Sequence, residues 1–357
     1  MWVYVVLLFV PLIIQHAIYG KKNVDLEKKN KNALNIFFIL FTVLLMLRHE
    51  NVGNDTKNYI YFFENYARMD WATIGKDPVE IGFSYFNKIV SVLKNDSQFF
   101  LAVTAVLTVL MIYFTYRRLC LDSSLTIVLF CTMSTFVMAF SGIRQMLAVG
   151  LGFIAYEFTR NKKILMFILV VLLAMSFHTS AFMLAFMYPL YHAKITKNWL
   201  YIVVPVLMFI FVMNKPIFSF LTVIIARYTK YEGEITSTGA YTMLILFVIF
   251  TAFSFLIPDE SKLDAETIGL RNFLLFSLAL QMFAPLHTLA MRMNYYYIIF
   301  IPLLMPKIVH HSDIKWKQIA VVGRHVMVIF FLVYFFKNAS DGGNLNVFPY
   351  HFFWENI

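Results

Sequence analysis

Four arginines, Arg48, Arg144, Arg227 and Arg292, each stand at the end of an apolar run or in the connection beyond one. Arginine stays charged at any working pH and offers a planar fork of N–H donors that fits two phosphate oxygens at once. Several of them meeting at one face would suit a phosphate or pyrophosphate group. For any one of them the competing role is a snorkelling anchor, or a partner for a local carboxylate such as Glu50 or Glu232. His178 lies in Ser176-Phe-His-Thr-Ser180, at a tip between two apolar runs. Its imidazole titrates near neutrality and can take a proton from a sugar hydroxyl. The plainer alternative is a ring bonded to a backbone carbonyl in a tight hairpin, with Thr179 or Ser180 capping the next helix. Asp55, in the turn-forming run Gly53-Asn-Asp-Thr56, and Glu64 are carboxylates suited to orienting a sugar or pairing with an arginine, though Asp55 has turn shaping as a rival role. Tyr59, Tyr61, Phe62, Phe63 and Tyr66 lie around them. Such aromatics stack on sugar faces, and any helix at a membrane interface carries them too. His287, near Arg292, is a weaker candidate.

These residues are set in a chain of 357 residues that is 60% hydrophobic and 14% charged, with a mean hydropathy of +0.71. Soluble domains carry about 25% charged residues. The bilayer must therefore be the solvent for most of this chain. The net charge of +10 would raise nucleic acid as a partner in a soluble protein, but no nucleic-acid-binding motif is present. Basic residues that collect in cytoplasmic loops beside anionic lipid explain it better. Cys120 and Cys131 suggest neither a disulfide framework nor a zinc site. The first apolar run has no basic leader and no small-residue cleavage site, and it reads as a retained span.

Apolar runs of about 17–25 residues are long enough to cross the hydrocarbon core, and helices satisfy their own backbone there. On that basis the chain is an all-α polytopic membrane protein forming a single membrane domain over 1–357, with about 12 transmembrane helices. The expected spans are 2–19, 33–47, 98–116, 124–140, 145–159, 164–178, 180–191, 199–214, 241–257, 271–286, 294–309 and 319–336. Orientation follows from Lys and Arg in the short loops. One set of alternate loops carries Lys21, Lys22, Lys28, Lys29, Lys31, Arg117, Arg118, Arg160, Lys162, Lys163, Lys194, Lys197, Lys262, Lys307, Lys315 and Lys317. The opposite short loops and the tail carry Arg144, Lys215, Arg227, Lys230, Arg292 and Lys337, and the long loop 48–97 is left out of the count because long segments translocate largely regardless of charge. The first set is expected to be cytoplasmic, which turns both termini outward. Two large loops, 48–97 and 214–240, then face outward as well. Within them, Ile81 to Leu93 and Pro216 to Ala226 have the character of interfacial helices. The aromatic tail ending at Trp354 has that of an interfacial anchor. The four arginines thus fall on the side that the charge bias disfavours, and ionisable residues at membrane depth are functional candidates by default.

The chain has no P-loop, no G-x-G-x-x-G, no H-E-x-x-H, no Cys/His cluster and no outward D-x-D pair. Its chemistry is expected to need no metal, cofactor or nucleotide. Several short motifs resemble those of the EpsG family and the Wzy-type O-antigen polymerases. Arg48-x-x-x-x-Gly53-Asn-Asp55-Thr-x-x-Tyr59 resembles their first outward loop, with Gly-Asn-Asp where Gly-Thr-Asp would be expected. Ser141-Gly-Ile-Arg144-Gln145 is similar to their Arg-Gln segment, and Phe177-His178-Thr-Ser180 to their His-x-Ser hairpin. Tyr228-x-x-Tyr231 and Arg292-x-x-Tyr295-Tyr296 fit as well.

The resemblance implies a GT-C-like architecture and a metal-independent glycosyltransferase that polymerises undecaprenyl-pyrophosphate-linked oligosaccharides at the periplasmic face of the bacterial inner membrane. These lipid-linked glycans would be both donor and acceptor, with membrane lipids around them. A chain-length regulator protein commonly accompanies such enzymes. In this scheme His178 is the base and Asp55 the alternative base or acceptor-binding carboxylate. Arg144 and Arg292 hold pyrophosphate, with Arg48 and Arg227 in support. Tyr59, Glu64, Gln145, Tyr228, Tyr231 and Tyr295 contact sugar or acceptor. Two other functions compete: a flippase for lipid-linked sugars, with Arg324 inside the last span as its main feature, and a membrane acyltransferase acting on polysaccharide.

Overall fold

The computed structural model describes residues 1–17, 25–76, 79–224, 239–343 and 345–356. Among them the regular structure is helical, with two isolated β-bridges. The chain runs α1 (Trp2–Ala17), α2 (Leu26–Leu47), α3 (Thr56–Arg68), α4 (Ile81–Leu93), α5 (Ser97–Leu119), α6 (Ser123–Thr132), α7 (Ser134–Ser141), α8 (Ile143–Arg160) and α9 (Ile164–Phe177). A 3-10 stretch over Thr179–Phe186 leads to α10 (Met187–His192), α11 (Leu200–Val212), α12 (Asn214–Ile224) and α13 (Gly239–Leu256). Then come α14 (Ala265–Gln281), α15 (Thr288–Ile298), α16 (Ile301–His310) and α17 (Lys317–Ser340). Aspartates start several of them. Asp25, Asp96, Asp122 and Asp264 each accept a hydrogen bond from a backbone N–H in the first turn of α2, α5, α6 and α14. Each satisfies a donor that the helix itself cannot.

Where they are described, the twelve apolar runs fall mainly on helix, but among the described residues far fewer than twelve helices are long and apolar enough to cross a membrane. Three pass by length and composition: Leu26–Leu47, Ser97–Leu119 and Ile314–Ser340. Two bent pairs raise the number to five if each is one span. The first pair, α6 and α7, bends by 59°. No proline or glycine lies at that break. The break is Met133, whose extended backbone (φ −72°, ψ 145°) interrupts the helix. The second, Thr179–His192 with Lys197–Val212, turns by 119°. Other apolar runs fold as shorter helices, among them α9, α13 and α16. Large apolar side chains stay exposed along α9 and α11, including Leu165, Leu169, Ile202 and Phe209. Such faces need lipid around them.

The helices form two compact units. The first comprises Met1–Ala185 with Arg324–Ile357, the second Phe186–Gly323. In the first, α3 and α4 pack on α5 and α8 through Tyr59, Phe63, Phe83, Phe100, Ile143 and Leu147. The tail docks at the same end. His49 N–H donates to the carbonyl of His351, Asn54 N–H to that of Leu345, and Tyr350 hydroxyl to that of Leu44. The tail is therefore partly built into the unit, with Phe353 and Trp354 left exposed. The opposite end gathers Asn30 with Leu121 and Ser123, Arg118 and Arg160 with Glu157, and Arg324 with Asp122. In the second unit, one end holds Lys197, Glu260, Arg271 and Lys307, and the other holds Asn214 against Met282 and His287 against Phe218. In the first unit the short-loop residues Lys28, Lys29, Lys31, Arg117, Arg118 and Arg160 share an end, while the long loop brings Lys57, Arg68, Lys88 and Lys94 to the other.

Candidate active site at the loop end of the first unit

The second half of loop 48–97 begins α4 at Ile81, and Glu80 is its N-cap residue. The usual N-cap bond to the first turn is missing. The carboxylate is turned outward from the helix, and its two oxygens serve different elements. Oε2 accepts a hydrogen bond from Arg144 Nη1 at 2.6 Å. Oε1 accepts from the Thr179 N–H at 3.1 Å and the Thr179 hydroxyl at 2.9 Å, and faces His178 Nδ1 at 3.4 Å. Arg144 and His178 therefore meet, through one carboxylate, from helices 34 residues apart in sequence. The Glu80 side chain is only 10% exposed, His178 18% and Arg144 25%. Burial opposes ionisation of Glu80. The His178 hydrogen bond, the Arg144 charge and the Thr179 N–H outweigh it and hold the carboxyl well below the usual carboxylate range.

Local sequence explains how each group arrives. His178 is the extended residue (φ −155°, ψ 121°) where α9 stops and the 3-10 stretch begins. Thr179 spends its hydroxyl on Glu80, not on the cap expected of it. Gly82 lets α4 lie against the end of α9, since a Cβ there would come within 2.8 Å of the Ser176 carbonyl oxygen. Arg144 projects from the first turn of α8, its guanidinium carbon 5.8 Å from the ring centroids of both Tyr59 and Phe83. Those aromatic faces favour the cation and flank it. Arg144 Nε is buried with no partner among the described residues.

The remaining sequence candidates sort by position. Asp55 braces the start of the loop: its N–H donates to Ser141 Oγ at 3.3 Å, just before α8. Beside it Gly53 has φ +92° and lies against the Phe140 carbonyl, to which Thr56 donates its hydroxyl. The first-loop and Arg-Gln motifs are thus joined in space. Gln145 is buried, 3.5 Å from Ser180 Oγ. Glu64 pairs with Arg68 and accepts from Ser97, which occupies it in holding α3 to α5. Arg48 is 1% exposed and donates Nη1 to the carbonyl of Leu45, the end of its own helix. Its Nε and Nη2 have no partner among the described residues. Burial lowers its guanidinium to about 10, still charged at neutral pH. A cation so enclosed is not offered to a ligand at the surface in this arrangement. Arg292 and Tyr295 belong to the second unit, Arg292 exposed on α15 and Tyr295 buried. His287 caps α15 by accepting from the Leu289 N–H. Arg227, Tyr228 and Tyr231 lie outside the described residues. Among those described, no three of His, Cys, Asp and Glu come together as a metal site requires.

Glu80 was not among the sequence candidates. It stands alone in Pro-Val-Glu80-Ile, 64 residues from Arg144 and 98 from His178. Its one sequence mark is that it immediately precedes an amphipathic run. Arg324, the residue most favourable to a translocation path, is tied to Asp122 at the opposite end of the unit by two hydrogen bonds, one of 3.2 Å.

Apolar helices with lipid-facing sides, carrying a cation, a carboxylate and an imidazole together at one end, define a membrane-embedded protein with a polar site. The model of the EpsG family matches residues 31–352, nearly the whole chain, and the chain belongs to that family. Membership gives it, at the coarse level, a glycosyltransferase-like role in polysaccharide polymerisation. No curated protein and no solved structure matches the chain.

Proposed function

We propose that this protein polymerises oligosaccharide repeat units carried on undecaprenyl pyrophosphate, at the periplasmic face of the inner membrane, on a GT-C-like scaffold and without a metal. The observation that carries this is the meeting of Arg144 and His178 on one carboxylate at the end of the first unit opposite Glu157 and Asp122. The growing glycan is bonded through its anomeric carbon to lipid pyrophosphate. The acceptor hydroxyl of the next unit attacks that carbon, and the carbon–oxygen bond to pyrophosphate breaks. The proton of the hydroxyl passes to the imidazole of His178. Charge grows on the leaving pyrophosphate, where a fixed guanidinium lowers the barrier. Arg144, held at the rim of the first unit by Glu80, fills that role. Tyr59, beneath Arg144, and Gln145, beside Ser180, border the acceptor side. Asp55 shapes the turn that closes against α8.

Deleting the gene and running the surface polysaccharide on a gel tests the proposal. Loss of a polymerase leaves single repeat units in place of a ladder. A flippase loss would leave none outside, and loss of a decorating acyltransferase would leave the ladder length unchanged. Either of the latter patterns contradicts the proposal.

A further inference from the structure

We propose that Glu80 is the positioning residue of this site: it sets the tautomer of His178 and seats Arg144, so that base and cation are held in one register. The assignment rests on the polymerase function proposed above. Its ground is the division of labour between the two carboxylate oxygens. Oε2 serves the cation on α8, at 2.6 Å. Oε1 serves the hairpin tip, taking both donors of Thr179 and facing His178 Nδ1. Among the described residues, the charged and titratable groups paired with Glu80 are Arg144 from α8 and His178 from the hairpin, with the Tyr59 phenol of α3 beside Arg144.

An ionised carboxylate only accepts hydrogen bonds. The ring nitrogen facing it must therefore carry the proton, as Nδ1–H. Nε2 is then left with its lone pair for the acceptor hydroxyl. In the transfer step, the hydroxyl proton moves to Nε2 as oxygen bonds to the anomeric carbon, and the electron pair of the breaking bond leaves with pyrophosphate. The imidazolium so formed lies beside the Glu80 carboxylate, which stabilises its charge. No redox partner is needed, and solvent later takes the proton. Glutamine cannot do the same work. It has one accepting oxygen and one donating nitrogen. Whichever way its amide faces, either Arg144 or the Thr179–His178 side meets a donor with a donor.

A simple latch between α4 and the hairpin would also use these bonds, so the test must read the imidazole itself. The full-length protein in nanodiscs, labelled with 15N-histidine, gives the tautomer and titration midpoint of His178, assigned by difference against His178→Asn. Wild type is expected to show Nε2 unprotonated. In Glu80→Gln the tautomer preference is lost and the midpoint falls by about one pH unit, because the stabilising negative charge is gone. Thr179→Ala removes a latch hydroxyl and keeps the charge, and it should retain the wild-type tautomer and midpoint. Polymerisation of a purified lipid-linked repeat unit by Glu80→Gln should fall at least about tenfold in turnover with KM little changed. An unchanged His178 signature in Glu80→Gln overturns the positioning role, whatever happens to turnover. If that signature responds while wild type never extends the lipid-linked unit, the polymerase function fails and the positioning of the ring stands.

Discussion

Arg144 is held by a carboxylate on one side and aromatic faces on two others, so its position does not depend on a bound anion. Such preorganisation is what a developing charge requires. Arg144→Ala should lower polymerisation about 10²–10³-fold, and His178→Ala about 10²–10⁴-fold, both read as loss of the ladder while the protein still inserts. A normal ladder from His178→Ala would remove the base assignment. Glu80 also gives a pH signature. Its folded carboxyl is held below the ordinary value of 4.5. The stability it contributes is therefore complete above 4.5 and is lost as the pH falls from there through the lowered value. Thermal unfolding followed from pH 6 to pH 3 should decline more steeply for wild type than for Glu80→Gln, and parallel curves would contradict this. Arg144 and His178 were legible in sequence because each interrupts apolar surroundings at a span end. Glu80 was not, since a lone carboxylate before a helix gives no hint of partners 64 and 98 residues away.

Helix ends place this chemistry more than helix interiors do. Gly82 permits the approach of α4 to the end of α9, and Gly53 supplies a left-handed turn beneath the Phe140 carbonyl. Gly82→Val should push α4 from the hairpin and separate Glu80 from Thr179, with loss of the ladder at normal expression. Gly53→Ala should cost at least about 1 kcal/mol from its positive φ alone, seen as a lower temperature of thermal inactivation; an unchanged temperature would contradict the turn assignment. Long apolar runs revealed where helices lie, including the hairpin of 164–191 and the amphipathic α4. Breaks within them were illegible. The bend between α6 and α7 falls where Met133 is extended, and composition there is as apolar as in an unbroken helix.

On the scale of the molecule, each unit has polar groups at both of its ends. Arg144 and Arg160 close opposite ends of α8, an 18-residue helix about 27 Å long. The loop count gave these ends an expected direction, from the excess of lysine and arginine in alternate short loops. It could not foresee two compact units, which depend on contacts between distant segments. Native Cys120 and Cys131 are buried, so single cysteines report sidedness cleanly. Asn54→Cys should react with an impermeant maleimide in intact spheroplasts, and Asn161→Cys only after permeabilisation; the reverse pattern would invert the topology. The most direct test is reconstitution: the purified full-length protein, given an undecaprenyl-pyrophosphate-linked repeat unit and no metal, with glycan length and released lipid pyrophosphate measured together. Wild type should build chains of several units, releasing one lipid pyrophosphate for each linkage formed, and Arg144→Ala and His178→Ala should do neither. Chain growth undiminished in both variants, or none with wild type, would contradict the proposed function.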